Sequence, residues 1–108
     1  MTADTQRMYR DVEFLTSVYP YRNHKNHESL EEAASYIENE FRKLDCVPEN
    51  QDWEVNGNRY RNVIASFNSE SKKRLIVGAH YDVCGDIPGA DDNASAVAGL
   101  LECARLFD

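Results

Sequence analysis

Apolar residues recur at helical spacing along the first half of the chain. Between about Thr5 and Val18 they lie three or four residues apart, which predicts an amphipathic helix that either Asp4 or a residue beside it can cap. A second stripe of the same spacing runs through residues 30–44 and predicts another helix, with charged residues on its opposite face. We expect this second helix to end near Leu44.

Two positions compete for the start of the second helix. Ser29 and Glu32 have the spacing of a capping box, in which each side chain accepts a hydrogen bond from a backbone N–H that the helix leaves free. Asn26 could instead cap the helix one turn earlier. Both starts are compatible with the sequence.

The middle of the chain has the pattern of a β-hairpin. Residues 51–55 alternate between polar and apolar, and residues 56–57 are Asn-Gly, a pair that tolerates the positive φ angles of a type I′ turn. The return strand is expected to run from Asn58 to about Phe67. We expect Trp53 to lie in a small core on one face of the hairpin.

Two apolar runs predict buried elements in the second half. Residues 75–79 (LIVGA) form a continuous apolar segment, the pattern of a central strand buried on both faces. A largely apolar stretch from near Asn93 to the end predicts a third helix that protein covers on nearly every side. Together these elements predict an α/β fold, in which an antiparallel hairpin leads into a sheet and helices pack on the sheet's faces.

Composition and charge narrow the classes of partner. A chain of 108 residues with 42% hydrophobic residues fits one globular domain. Its formal charge of −7 disfavours nucleic acid and anionic membrane surfaces, which are themselves negatively charged. No apolar run approaches the roughly 18–20 residues that span a bilayer. The first residues lack the apolar core of a signal peptide, and the three separated cysteines disfavour a disulfide framework, so we expect a cytoplasmic location.

Candidate chemistry is concentrated after the predicted central strand. His80 and Asp82 lie two residues apart where this strand ends, and Asp91 and Asp92 lie where a loop enters the third helix. Adjacent carboxylates repel each other, and a divalent cation compensates that repulsion far more strongly than a helix N-terminus does. Polar strand ends and acidic helix caps are common, however, so spacing alone leaves both a metal site and a plain cap open.

Longer motifs around these residues resemble a known family. Residues 78–82 (GAHYD), followed by residues 88–95 (PGADDNAS), resemble the first metal-binding stretch of the co-catalytic zinc exopeptidases. These are the aminopeptidases of the bacterial leucyl-aminopeptidase type and the related glutamate carboxypeptidases. The resemblance extends through residues 61–65 (RNVIA) and, less sharply, through residues 30–44. It implies an α/β/α sandwich with a mixed sheet, of which residues 1–108 would be the N-terminal portion.

The resemblance also implies roles for individual residues. His80 is similar to the histidine that binds one zinc ion, Asp82 to the carboxylate that orients this histidine, and Asp92 to the aspartate that bridges two zinc ions. The implied reaction is metal-assisted hydrolysis of peptide substrates at their free N-terminus. The peptide bond between Asp92 and Asn93 is expected to be cis, as in such relatives.

The same resemblance implies that further residues are needed for catalysis. In the family a glutamate base and further metal ligands follow this segment, and Glu102 has the wrong spacing to replace them. We therefore expect the isolated chain to be inactive, and we expect its uncovered sheet and helix surfaces to favour a homo-oligomer. Two alternatives stay open: a non-catalytic binding or oligomerisation module with the peptidase fold, and an acyl-transfer enzyme such as a glutaminyl cyclase, which the 88–95 run fits less well.

Overall fold

Three helices and one hairpin make up the fold in the computed structural model, which describes residues 1–108. In chain order the elements are α1 (Thr5–Ser17), α2 (His27–Arg42), β1 (Glu49–Val55), β2 (Asn58–Ile64) and α3 (Ser95–Phe107). The α/β class is therefore confirmed. None of the three helices has the length and apolar content that crossing a membrane requires.

The first two helices begin in different ways. Asp4 caps α1, because its Oδ1 atom accepts hydrogen bonds from the backbone N–H groups of Gln6 and Arg7 at 3.0 and 3.1 Å. Of the two starts left open for α2, the structure has the earlier one, after Asn26, although the Asn26 side chain forms no capping hydrogen bond; the capping box of Ser29 and Glu32 does not form. The Ser29 hydroxyl instead donates to the backbone carbonyl of Pro20 in the preceding loop. This contact occupies the hydroxyl that the capping box would need.

The hairpin forms as its turn sequence predicts. Asn56 and Gly57 have φ angles of 52° and 78°, and the flanking strands pair antiparallel around them. The return strand ends at Ile64, before the predicted Phe67. The expected hairpin core is also wrong, because Trp53 is 45% exposed and stacks only on its cross-strand neighbour Tyr60.

The predicted central strand at residues 75–79 is not formed. The sheet contains only β1 and β2, and no third strand offers hydrogen-bond partners to this segment. Leu75 and Ile76 are 86% and 90% exposed, so the segment is uncovered where burial on both faces was expected. The sheet is thus an antiparallel hairpin and not the mixed sheet of a complete α/β/α sandwich.

Helix α3 lies at the centre of the core. It packs against α1 and α2, and its inner face contributes much of the buried apolar cluster. This cluster contains Leu15, Ala33, Ile37, Phe41, Ala94, Val97, Leu101 and Ala104. Packing therefore fixes the start of α3, and this also fixes the position of the residues immediately before it.

Candidate metal site

One histidine lies between two carboxylates at the start of α3. The Nδ1 atom of His80 is 3.0 Å from Oδ1 of Asp82, and its Nε2 atom is 3.2 Å from Oδ1 of Asp92. The two carboxylates thus approach opposite sides of the same imidazole ring. The structure thus brings together the three residues to which the resemblance gives roles, whereas the Asp91 side chain makes no contact with the imidazole.

An irregular turn places Asp92. A wide turn, Ala90–Ala94, precedes α3, and inside it Asp92 has non-helical angles of φ −116° and ψ 87°. The peptide bond between Asp92 and Asn93 is cis, which confirms the expectation drawn from the resemblance. Asp91 contributes a backbone contact to this turn: its carbonyl accepts a hydrogen bond from the Ser95 hydroxyl at 2.7 Å.

The donor atoms fit a shared cation. Two ligands bound to one zinc ion at roughly 2.0–2.2 Å, with a tetrahedral angle between them, lie about 3.4 Å apart. The Nε2 atom of His80 and Oδ1 of Asp92 are 3.2 Å apart, and both side chains are more than half exposed, which leaves room for further ligands. Nowhere in the chain, however, do three or more His, Cys, Asp or Glu side chains form a group that could hold a metal ion. The chain supplies two donors, whereas a catalytic zinc usually has three protein ligands.

A buried arginine supports the loop that connects these donors. Arg22 is 1% exposed, and its guanidinium donates to the backbone carbonyls of Tyr81, Pro88 and Gly89 as well as to that of Leu15 in α1. Burial lowers the pKa of Arg22, and the nearby Asp82 carboxylate opposes this shift.

Two further supports hold the same region, and sequence reasoning missed both of them together with Arg22. The side-chain amide of Asn23 donates to the carbonyl of Gly85 and to Asp86. The Tyr81 hydroxyl donates to the carbonyl of Arg61 in β2 at 2.7 Å, and burial raises the pKa of Tyr81. Residues 19–26 contain many polar side chains, and nothing in their spacing shows which of them become buried.

Glu102 lies outside the candidate site. It is 2% exposed and accepts hydrogen bonds from Arg7 in α1 and from Arg105 in α3. These contacts assign it to the packing of two helices, in agreement with its unsuitable spacing for catalysis.

Comparison with known proteins shows what the segment that contains the site is similar to. Residues 62–108, which contain both donors, match the family model described as Peptidase family M28. Residues 62–108 are thus similar to part of a peptidase family M28 domain. Family M28 peptidases are generally metal-dependent, which agrees with a donor pair at this position.

Two curated proteins are similar to the chain over different shares of its length. The uncharacterized protein YfbL of Escherichia coli (strain K12) is 36% identical over 113 aligned positions, which cover 97% of this chain and 35% of that protein. A probable leucine aminopeptidase of Arthroderma otae (strain ATCC MYA-4605 / CBS 113480) is 43% identical over 51 positions, or 41% of this chain and 14% of that protein. The chain thus spans 35% and 14% of the lengths of these relatives. No solved structure matches it significantly.

Proposed function

We propose that this chain is the N-terminal segment of a zinc-dependent aminopeptidase and contributes His80 and Asp92 as metal ligands. The observation that carries the proposal is the placement of His80 between the two carboxylates, with Nε2 3.2 Å from Oδ1 of Asp92. The similarity to a probable leucine aminopeptidase supports the choice of an exopeptidase reaction on peptide substrates.

Each side chain has a distinct task in this proposal. Asp82 accepts the Nδ1 proton of His80 and thereby directs the unprotonated Nε2 atom toward Asp92. Asp92, on the turn before α3, presents its carboxylate from the other side of the site. When bound, zinc (two ions in a complete site) makes a water molecule more acidic and stabilises negative charge on the scissile carbonyl.

Zinc binding to the chain tests the proposed ligands. We expect the chain to compete with a chromogenic chelator for zinc, and we expect His80→Ala to lower the affinity at least tenfold, since one of two donors is lost. His24→Ala is the matched control, because His24 is an exposed histidine in the loop before α2 and should leave the affinity unchanged. Equal affinities for the wild-type chain and His80→Ala would contradict the proposal and favour a non-catalytic module.

Catalysis is tested separately from binding. We expect the 108-residue chain alone to release no product from leucine p-nitroanilide, since it supplies only two donors for zinc. A longer protein that contains this chain should cleave the anilide, lose this activity with a chelator and spare the N-acetylated substrate. Chelator-sensitive turnover by the 108-residue chain itself would overturn the expected inactivity.

A further inference from the structure

Arg22 is buried and forms no ion pair, although the Asp82 carboxylate lies near enough to act on its charge. Arginine is rarely buried to this degree unless it is paired, yet Arg22 is 1% exposed and all four hydrogen bonds of its guanidinium go to backbone carbonyl oxygens. Arg105, whose side chain is 8% exposed, instead forms ion pairs with Asp11, Glu40 and Glu102. The surroundings of Arg22 therefore suit the joining of backbone segments better than the neutralisation of a carboxylate.

The four carbonyls belong to two parts of the fold. One is that of Leu15, near the C-terminus of α1, which also accepts a long hydrogen bond, 3.4 Å, from the backbone N–H of Val18. The other three belong to residues 81, 88 and 89, at the two ends of the loop that separates His80 from Asp92. The Nε atom binds the first end of this loop at 2.8 Å, and Nη1 binds the second end at 2.6 Å.

Backbone contacts complete this connection. The N–H of Val83 donates to the carbonyl of Arg22 at 2.9 Å, and the N–H of Ala94 donates to the carbonyl of Gly89 at 3.0 Å. The same Gly89 carbonyl accepts from Nη2 of Arg22. One guanidinium is thus joined directly to the residue after His80 and, through Gly89, to the turn that carries Asp92.

We infer that Arg22 is a positioning residue of the metal site, which sets the separation of the His80 and Asp92 donors by holding both ends of the 81–89 loop to α1. The inference rests on the proposed function. It predicts that zinc affinity depends on the fork of the guanidinium, that is, on N–H donors spread over three nitrogen atoms, and not on the positive charge alone. A lysine ammonium presents its donors from one nitrogen atom and cannot reach both loop ends.

Two substitutions separate the fork from the charge. We expect Arg22→Lys and Arg22→Gln each to lower zinc affinity by about 10- to 100-fold, the range found when groups that support metal ligands are changed. Retained affinity in Arg22→Lys with a loss only in Arg22→Gln would overturn the inference, since it would show that charge suffices.

Arg105→Lys is the matched control for lost stability. Arg105 is also largely buried, but its partners lie in helices away from the 81–89 loop. We expect this variant to unfold more easily while it binds zinc within twofold of the wild-type chain. An equal loss of zinc affinity in Arg105→Lys and Arg22→Lys would overturn the inference, because a general loss of stability would then explain both.

A measurement on the unmodified chain covers the case in which Arg22 variants do not fold. In metal-free protein the Val83 amide should exchange its hydrogen at least 100-fold more slowly than an unstructured amide, because the loop is held before zinc binds. Exchange of Val83 at the unstructured rate, while amides of α1 stay protected, would contradict the inference. The two proposals can fail separately. If His80→Ala binds zinc as tightly as the wild-type chain, the proposed function is wrong. If His80→Ala loses zinc affinity but Arg22→Lys retains it, only the positioning role of Arg22 is wrong.

Discussion

Gly89 shows how tightly single residues are constrained beside the candidate site. Its φ of +66° lies in the left-handed region, and an added Cβ atom would lie 2.2 Å from Cγ1 of Val83 and 2.8 Å from the backbone oxygen of Asp92. Gly85, in the same loop, has a φ of +85° but open space around it. The two glycines therefore share a conformational requirement and differ in their packing.

This difference predicts unequal costs of substitution by alanine. Gly85→Ala should lower the free energy of unfolding by about 1–2 kcal/mol, the cost of left-handed backbone for a residue with a Cβ atom. Gly89→Ala should cost about 1–3 kcal/mol more, because Val83 and the Asp92 backbone must shift. Urea denaturation of both variants measures the difference. Equal costs would show that the close approach to Val83 is relieved without strain.

At the scale of elements, one carboxylate ties α3 to α1. Glu102 accepts a hydrogen bond from the backbone N–H of Asp4, the capping residue of α1, at 2.8 Å. It also accepts two from Arg7, at 2.8 and 2.7 Å. These Arg7 hydrogen bonds are the main reason that the pKa of Glu102 is lowered to about 2.

Removal of this charge should destabilise the helix pair. We expect Glu102→Gln to lower the free energy of unfolding by about 3 kcal/mol, since Arg7 and Arg105 lose a buried partner. Asp52→Asn is the matched control, because Asp52 pairs with the exposed Arg59 on the hairpin, and it should cost at most about 1 kcal/mol. Similar costs in the two variants, measured by urea denaturation, would contradict the assigned importance of Glu102.

The lowered pKa of Glu102 also predicts a pH dependence. A carboxyl group with a lower pKa in the folded state stabilises the fold above its ordinary pKa of 4.5, and this contribution is lost as the pH falls toward about 2. The stability difference between the wild-type chain and Glu102→Gln should therefore shrink between about pH 5 and pH 2. Denaturation at several pH values tests this, and a constant difference would contradict it.

At the scale of the whole molecule, residues 75–77 form an uncovered apolar surface. Leu75, Ile76 and Val77 are 86%, 90% and 59% exposed, and no strand of the sheet pairs with them. An extended apolar segment with unpaired backbone groups favours association with another chain. The expected homo-oligomer therefore stays a prediction, and this segment is the surface through which we propose that it forms.

Sedimentation velocity over a range of concentrations tests the association. We expect the wild-type chain to self-associate and Ile76→Lys to shift the population toward the monomer, because a charge would be desolvated in the contact. Val47→Lys is the control, since Val47 is also 80% exposed but lies outside this segment. A compact wild-type monomer at high concentration would contradict the predicted oligomer.

Features that depend on neighbours along the chain were predictable from the residues alone. Helical stripes, the Asp4 cap and the Asn-Gly turn rest on contacts within a few residues, and the structure confirms them. The strand at residues 75–79 was predicted by the same local logic and failed, because a strand also needs hydrogen-bond partners that no local pattern supplies.

The arrangement of the site depended on contacts between distant parts of the chain. Sequence motifs singled out His80, Asp82 and Asp92, but the distances between them are defined by a loop that Arg22 holds from about 60 residues earlier. Nothing local distinguishes Arg22 from the exposed cations around it. Its burial follows only when α1, the loop and the turn before α3 pack together, since only then do backbone carbonyls surround the guanidinium and replace water as its hydrogen-bond partners.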